Sequence, residues 1–334
     1  MADFAVGSNL LNTDPDRIRK AVMKRFSPLD GIGKDLTKET SYEDAMHLAE
    51  LDFDPKIKQL KTVDDISING YKSIFNGDRL LSVVKNDYTV VSNMEAFAVA
   101  EELVEEEGFK YCTSNIQKDG ARCRLILSGP EVYIENEVFT PYAIFNNSFD
   151  LSRSISIQFM FERLVCLNGL MRRAPGVSSS IYLTHFGGKD AKLQRLADFK
   201  FNFEKTFNYL QREAKEFVNT PFSKEEFRKE FIPKLVGHVF QRSADAPLSE
   251  RQMVRTQSFI ESVLSAYDAA DTENFNNTAY KVILTMTDLD SHLAPFVNRS
   301  NPDIYINRVL QTETLMSMAN FAANYFINTR HIKL

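Results

Sequence analysis

The chain has 334 residues, 43% of them hydrophobic and 25% charged, with a formal net charge of −5. That balance excludes a disordered chain and suits one large domain or two ordinary ones, while the acidic sum excludes a protein that coats duplex DNA through bulk positive charge. No apolar run reaches the roughly 18–20 residues that span a bilayer, and the N-terminal stretch lacks the basic and apolar regions of a signal peptide, so a cytoplasmic location with no membrane contact is expected.

In chain order, residues 1–56 read as a helical lead-in. Thr13-Asp14-Pro15 supplies one helix start and Thr40-Ser41 a second, with a loop over Ser27–Asp35 between them. From Ile57 to Phe161 the pattern turns to short β-type runs. Asn69-Gly70 and Asn76-Gly77 are tight-turn signals, and 71–75 with 79–84 form a predicted hairpin. A strand over 88–93 leads into one helix that Asn93 caps and Gly108 stops. Strands follow at 122–127, 131–134, 142–147 and 154–161, with Ser128-Gly129-Pro130 as the turn between the first two.

From Lys192 the apolar residues Leu193, Leu196, Phe199, Phe203, Phe207, Leu210, Ala214 and Phe217 fall at steps of three and four, the stripe of one long helix. Further helices are predicted at Ser223–Leu235, Ser249–Ala269, Thr278–Leu293 and Ile304–Phe326, Asn301-Pro302 marking the start of the last. The fold class is therefore α+β: an antiparallel, meander-rich sheet with an inserted helix, followed by a mainly helical half. The divisions are 1–56, a core domain over 57–240, and a helical region over 248–334 packed on it. With 26 Phe, 12 Tyr and no Trp, phenylalanine should fill the core, each buried ring being worth about 1.5–3 kcal/mol.

Residues 151–200 reverse the charge of the chain. Eight basic residues (Arg153, Arg163, Arg172, Arg173, Lys189, Lys192, Arg195, Lys200) face three acids there, a net +5 that leaves −10 elsewhere. Such a strip suits a phosphate backbone, and Phe159, Phe161, Tyr182 and Phe186 are nearby rings for unpaired bases. The competing reading is a solvated helix face whose arginines pair with acids. Cys112, Cys123 and Cys166 fit no metal spacing, and Cys166 sits in an apolar run as a core thiol would. The five histidines form no metal motif, and neither 31–34 nor 186–189 continues as a nucleotide-binding lysine loop. No cofactor, metal or catalytic constellation is expected.

Four segments together resemble the phage- and plasmid-borne proteins of the domain-of-unknown-function 932 family. They are YTVVSNMEAF (88–97), the turn Asn147–Asp150 followed by a strand to Arg163, Cys166 and Asn168, THFGG (184–188), and TAYKVILTMTDLDSH (278–292). The chain departs from that pattern at Phe149 for a His, Leu151 for a Gly, Leu284 for an Asn and Ser291 for an Asp. His185 and His292 match family positions. The resemblance implies a mobile-element origin and a link to phage or plasmid DNA metabolism, and no reaction.

The leading expectation is a non-enzymatic protein that binds single-stranded nucleic acid in recombination or replication, as an annealing-type homo-oligomer. Arg153, Arg163, Arg172, Arg173, Lys192 and Arg195 would meet phosphate, with Tyr182 and Phe186 stacking on bases. The alternative is an interaction or assembly protein that binds phage or host proteins and no nucleic acid. An enzyme using Cys166 or His185 ranks third.

Overall fold

A computed structural model describes residues 33–134, 137–163, 168–170, 180–199, 203–240, 249–268, 275–290 and 317–332. The first half of the chain is built by antiparallel pairing. β1 (Lys34–Asp35) lines the edge of β5 (Lys110–Gln117), and β6 (Arg122–Ser128), β8 (Glu137–Ser148) and β9 (Ile155–Arg163) follow across the sheet. β7 (Val132–Ile134) also pairs with β8, while β10 (Asn168–Leu170) and β11 (Ser180–Leu183) share the far edge of β9. A second sheet of three strands is formed by β2 (Lys56–Lys61), β3 (Ser67–Asn76) and β4 (Arg79–Lys85).

Alternation along these strands sends Cys123, Leu125, Leu127, Phe145, Ile155 and Ile157 into one apolar cluster. Helix α1 (Tyr42–Leu48) closes that cluster with Tyr42, Ala45 and Met46. α2 (Asn93–Ala96) and α3 (Val99–Glu107) add Ala96, Ala100 and Leu103. Ile126 and Ile144, directly opposite each other, face a second cluster supplied by the helical half.

Those later helices are α4 (Lys189–Ala197), α5 (Phe203–Val218), α6 (Lys224–Glu226), α7 (Ile232–Phe240), α8 (Glu250–Tyr267), α9 (Ala279–Asp288) and α10 (Ser317–Thr329). Ser223 and Ser249 cap their helices with reciprocal bonds to Glu226 and Gln252. A π turn over Phe227–Phe231 joins α6 to α7. Pro233 follows it, lacks an N–H and crowds the carbonyl four residues back, which a widened turn accommodates. Rings fill the interior as expected: Phe227 stacks on Tyr267 at 4.3 Å, and Phe222 meets Phe326 edge-on at 4.9 Å.

The α+β class holds, and so do the hairpin at Asn76-Gly77 and the helix start at Ser41. Several local readings do not. Asn69-Gly70 lies inside β3, where the register with β2 slips between Gln59 and Lys61, so the glycine (φ +84°) serves a bulge instead of a chain reversal. Ser128-Gly129-Pro130 does not reverse the chain either, because β6 and β7 both pair with β8. Lys34–Asp35, expected in a loop, is a strand, and β5 escapes the sequence pattern because its polar residues Thr113, Asn115 and Gln117 break the apolar run.

Residues 88–93 make one bridge, Tyr88 to Phe186, in place of a strand. The helix after them is capped by Ser92 with Glu95, not by Asn93, and is interrupted at Phe97 before α3 runs to its Gly108 cap. The long stripe from Lys192 divides into α4 and α5. Leu196 joins the sheet-side cluster and Leu210 and Phe217 the helical one, so a single periodicity serves two cores. The predicted helix start at Thr13-Asp14-Pro15, and that at Asn301-Pro302, lie outside the described residues.

Candidate nucleic-acid interface

Three segments distant in sequence meet at one corner of the large sheet. The Tyr88 hydroxyl donates to the Ser148 carbonyl at 2.7 Å, joining the 88–97 segment to the turn after β8. The Asn147 amide donates to the Val91 carbonyl and the Asn93 side chain, both at 3.0 Å. The Thr89 N–H donates to the His185 carbonyl at 2.5 Å and its hydroxyl to the Gly187 carbonyl, so the 184–188 loop is strapped to the same corner.

His185 is buried and stacks on the Tyr88 ring with centroids 4.7 Å apart. Its Nδ1 lies 3.3 Å from the Thr89 carbonyl oxygen. Burial lowers its pKa below the usual imidazole value, outweighing the carbonyls of Thr89 and Arg153 that favour the proton. The ring is a structural wedge, neutral at neutral pH.

Asp150 anchors the turn, accepting from the Ser152 hydroxyl, from Lys118 at 3.1 Å and from Arg122 Nε at 3.2 Å. Burial alone would raise its pKa, but bonds from Ser152 and Lys118 and the Arg122 charge hold it below the ordinary carboxylate value. Next to it, Leu151 adopts φ +62° with its side chain half exposed. This is a left-handed conformation that glycine adopts without strain, which accounts for the glycine expected at that position. Phe149, standing for the expected histidine, is fully buried against Phe53.

The residues singled out in the sequence separate in space. Tyr182 and Phe186 are exposed, at 41% and 48%. The main chain at Phe186 is held by the Lys192 ammonium, which donates to its carbonyl and is itself buried. Arg195 is exposed on α4. Arg153 is half-buried, its N–H on the Ser148 hydroxyl at 3.2 Å; burial and the nearby Arg122 charge pull its pKa down to about 10 against the pull of Asp150. Arg163 pairs through its backbone with Phe139 and Asn168, and its side chain lies outside the described residues, as do Arg172, Arg173, Cys166 and His292. Cys123 is a core thiol pushed up to about 12 by burial. Among the described residues, no group of three or more His, Cys, Asp or Glu could hold a metal ion.

One polar feature lies outside the sequence expectations. Asn115, Arg124, Asn146, Ser156 and Tyr182 lie directly opposite one another across β5, β6, β8, β9 and β11. Arg124 is 1% exposed, its Nε donating to the Asn146 Oδ1 at 2.8 Å and its Nη1 to the Asn115 Oδ1 at 3.2 Å. The signal is present in the sequence as polar residues at every second position: Arg122 and Arg124, Asn115 and Gln117, Ser156 and Gln158. Its buried members continue beside Tyr182 on the same face of the sheet.

The corner brings together parts of the first three of the four family-like segments, while the described part of the fourth (278–290) runs through α9 in the helical core. A family model described as Domain of unknown function (DUF932) matches residues 80–313. The chain belongs to the DUF932 family. No curated protein and no solved structure matches it. In this DUF932 chain the matched span covers the large sheet from β5 to β11 and most of the helical half. No helix among its described residues is long and apolar enough to cross a membrane.

Proposed function

We propose that this chain binds single-stranded nucleic acid along the sheet edge formed by β11 and the 184–188 loop. The observation that carries the reading is the pair of exposed rings, Tyr182 and Phe186, four residues apart on a segment whose backbone is fixed. Phe186 sits edge-on to Tyr88 at 6.3 Å, and Thr89 and Lys192 pin the loop around it. Rings held this way lose little entropy when a base stacks on them.

The charge of residues 151–200 supports the same ligand. Arg195 is exposed beside the loop in sequence, and Arg163, Arg172 and Arg173 belong to the same basic stretch. Lys192 and Arg153 act here as supports for the loop and turn. The setting is the cytoplasm of a host carrying a phage or plasmid, in replication or recombination, with copies of the chain assembling on one strand.

The test is fluorescence anisotropy with a labelled oligothymidylate. Tyr182→Ala/Phe186→Ala should weaken binding at least about 10-fold, since each stacked base is worth roughly 1–3 kcal/mol. Arg195→Ala should flatten the dependence of affinity on salt, by about 0.7 in the logarithmic slope. Wild-type protein that fails to bind at low salt, or a double variant with unchanged affinity, would overturn the reading.

A further inference from the structure

The small sheet has a composition of its own. Its three strands carry Lys56, Lys58, Lys61, Lys72, Arg79 and Lys85 and no acidic residue, in a chain whose net charge is −5. One face packs inward through Ile74 and Val84, which belong to the sheet-side core. On the other, the register puts Lys56 opposite Phe75, Ser73 between Lys58 and Val83, and Tyr71 opposite Lys85.

Strand alternation then collects Tyr71, Phe75, Val83, Lys56, Lys58 and Lys85 on a single outward surface. Tyr71 is 44% exposed and Val83 42%, Phe75 is half-buried, and the small Ser73 between them is covered. Solvated sheet faces are ordinarily polar, so an outward face of rings and aliphatic groups framed by lysines calls for an occupant. Lys58 already lies over the Phe75 ring, 4.4 Å from its centroid. Lys56 is paired with Asp54 at the rim, an exposed bridge that is worth little and is exchanged easily for a phosphate.

We propose that this face is a second docking platform for single-stranded nucleic acid, with Tyr71 and Phe75 stacking on bases and Lys56, Lys58 and Lys85 meeting phosphates. The assignment rests on the reading above for its ligand class and uses none of the same residues. The occupant follows from two features together. Six basic residues and no acid on the strands favour a polyanion, which would displace the rim pairs Lys56–Asp54 and Lys61–Asp65, and flat rings about 13 Å apart along one strand suit bases splayed over a sheet. An anionic bilayer would share the charge, but it favours an amphipathic helix lying in its surface over a flat sheet.

Anisotropy with labelled oligothymidylate, from about 50 to 200 mM salt, separates the two sites. The variant Lys56→Ala/Lys58→Ala/Lys85→Ala should reduce the magnitude of the salt slope by about 2, at about 0.7 for each single-strand phosphate left without its lysine. Tyr71→Ala should weaken binding about 5-fold or more. These side chains are largely outward, and an unchanged thermal midpoint establishes that each variant is folded. Lys85→Glu, a single exposed change, repeats the test if the triple variant is unstable.

Weaker binding by these variants supports the platform whether or not Tyr182→Ala/Phe186→Ala is also impaired. Wild-type slope and affinity in all of them, with impairment only in the β11-edge variant, overturns the platform and leaves the first reading intact. No binding by the wild type overturns both, and so does capture by phosphatidylserine vesicles without binding to oligonucleotide.

Discussion

His185 joins two residue-scale facts, a ring stacked on Tyr88 and a proton that burial disfavours. Its folded-state pKa lies below the ordinary value of about 6.5, so the unfolded chain takes up the proton first as pH falls. Stability is therefore fully present above about pH 6.5 and is lost as pH drops through the folded-state value. His185→Phe keeps a ring against Tyr88 and removes the titration. Urea midpoints at about pH 7.5, 6 and 5 should show the variant gaining on the wild type as pH falls. A gap that is constant, or that grows the other way, contradicts a buried neutral imidazole. Leu151 shows the opposite kind of residue effect, since a left-handed backbone persists there only because Asp150 and Ser152 fix the turn.

At the scale of elements, the polar row that ends at Tyr182 fits one strand register only. Slipping β6 by one residue would turn Arg124 to the face of Leu125 and Phe145, away from Asn115 and Asn146. Arg124→Met keeps much of the stem and strands the amide oxygens of Asn115 and Asn146 in a buried layer. A loss of about 3 kcal/mol is expected from urea unfolding, because bonds from a charged donor are the costly ones to delete. A loss under about 1 kcal/mol would mean that the row does not hold the register.

The elements also show what is legible in the sequence. The helix starts at Ser41, Ser223 and Ser249, where serine caps form, and the turn at Gly77 are local chemistry, and the sequence places them correctly. β5 is not legible, since its alternate residues are polar for a tertiary reason: they line a row whose farther members are tens of residues away. The division between α4 and α5 is invisible for a related cause, as helical period says that a face is buried and not in which core. Tyr182 and Phe186 are legible as rings near charge, but the strap that fixes the Phe186 loop comes from Thr89, far earlier in the chain.

For the whole molecule, a net charge of −5 coexists with a run of six basic and no acidic residues on β2, β3 and β4, and the two proposed sites lie on that face and at the β11 edge. An acidic remainder favours selective contact at these surfaces and disfavours indiscriminate coating of duplexes. The most direct measurement is photo-crosslinking to a bromodeoxyuridine-substituted single strand, followed by mass spectrometry of the adducts. The expected result is adducts on Tyr182 or Phe186 within residues 180–188, with a second set within 67–85 at Tyr71 or Phe75. No adduct on saturating single strand, or adducts confined to segments away from both surfaces, would contradict the account.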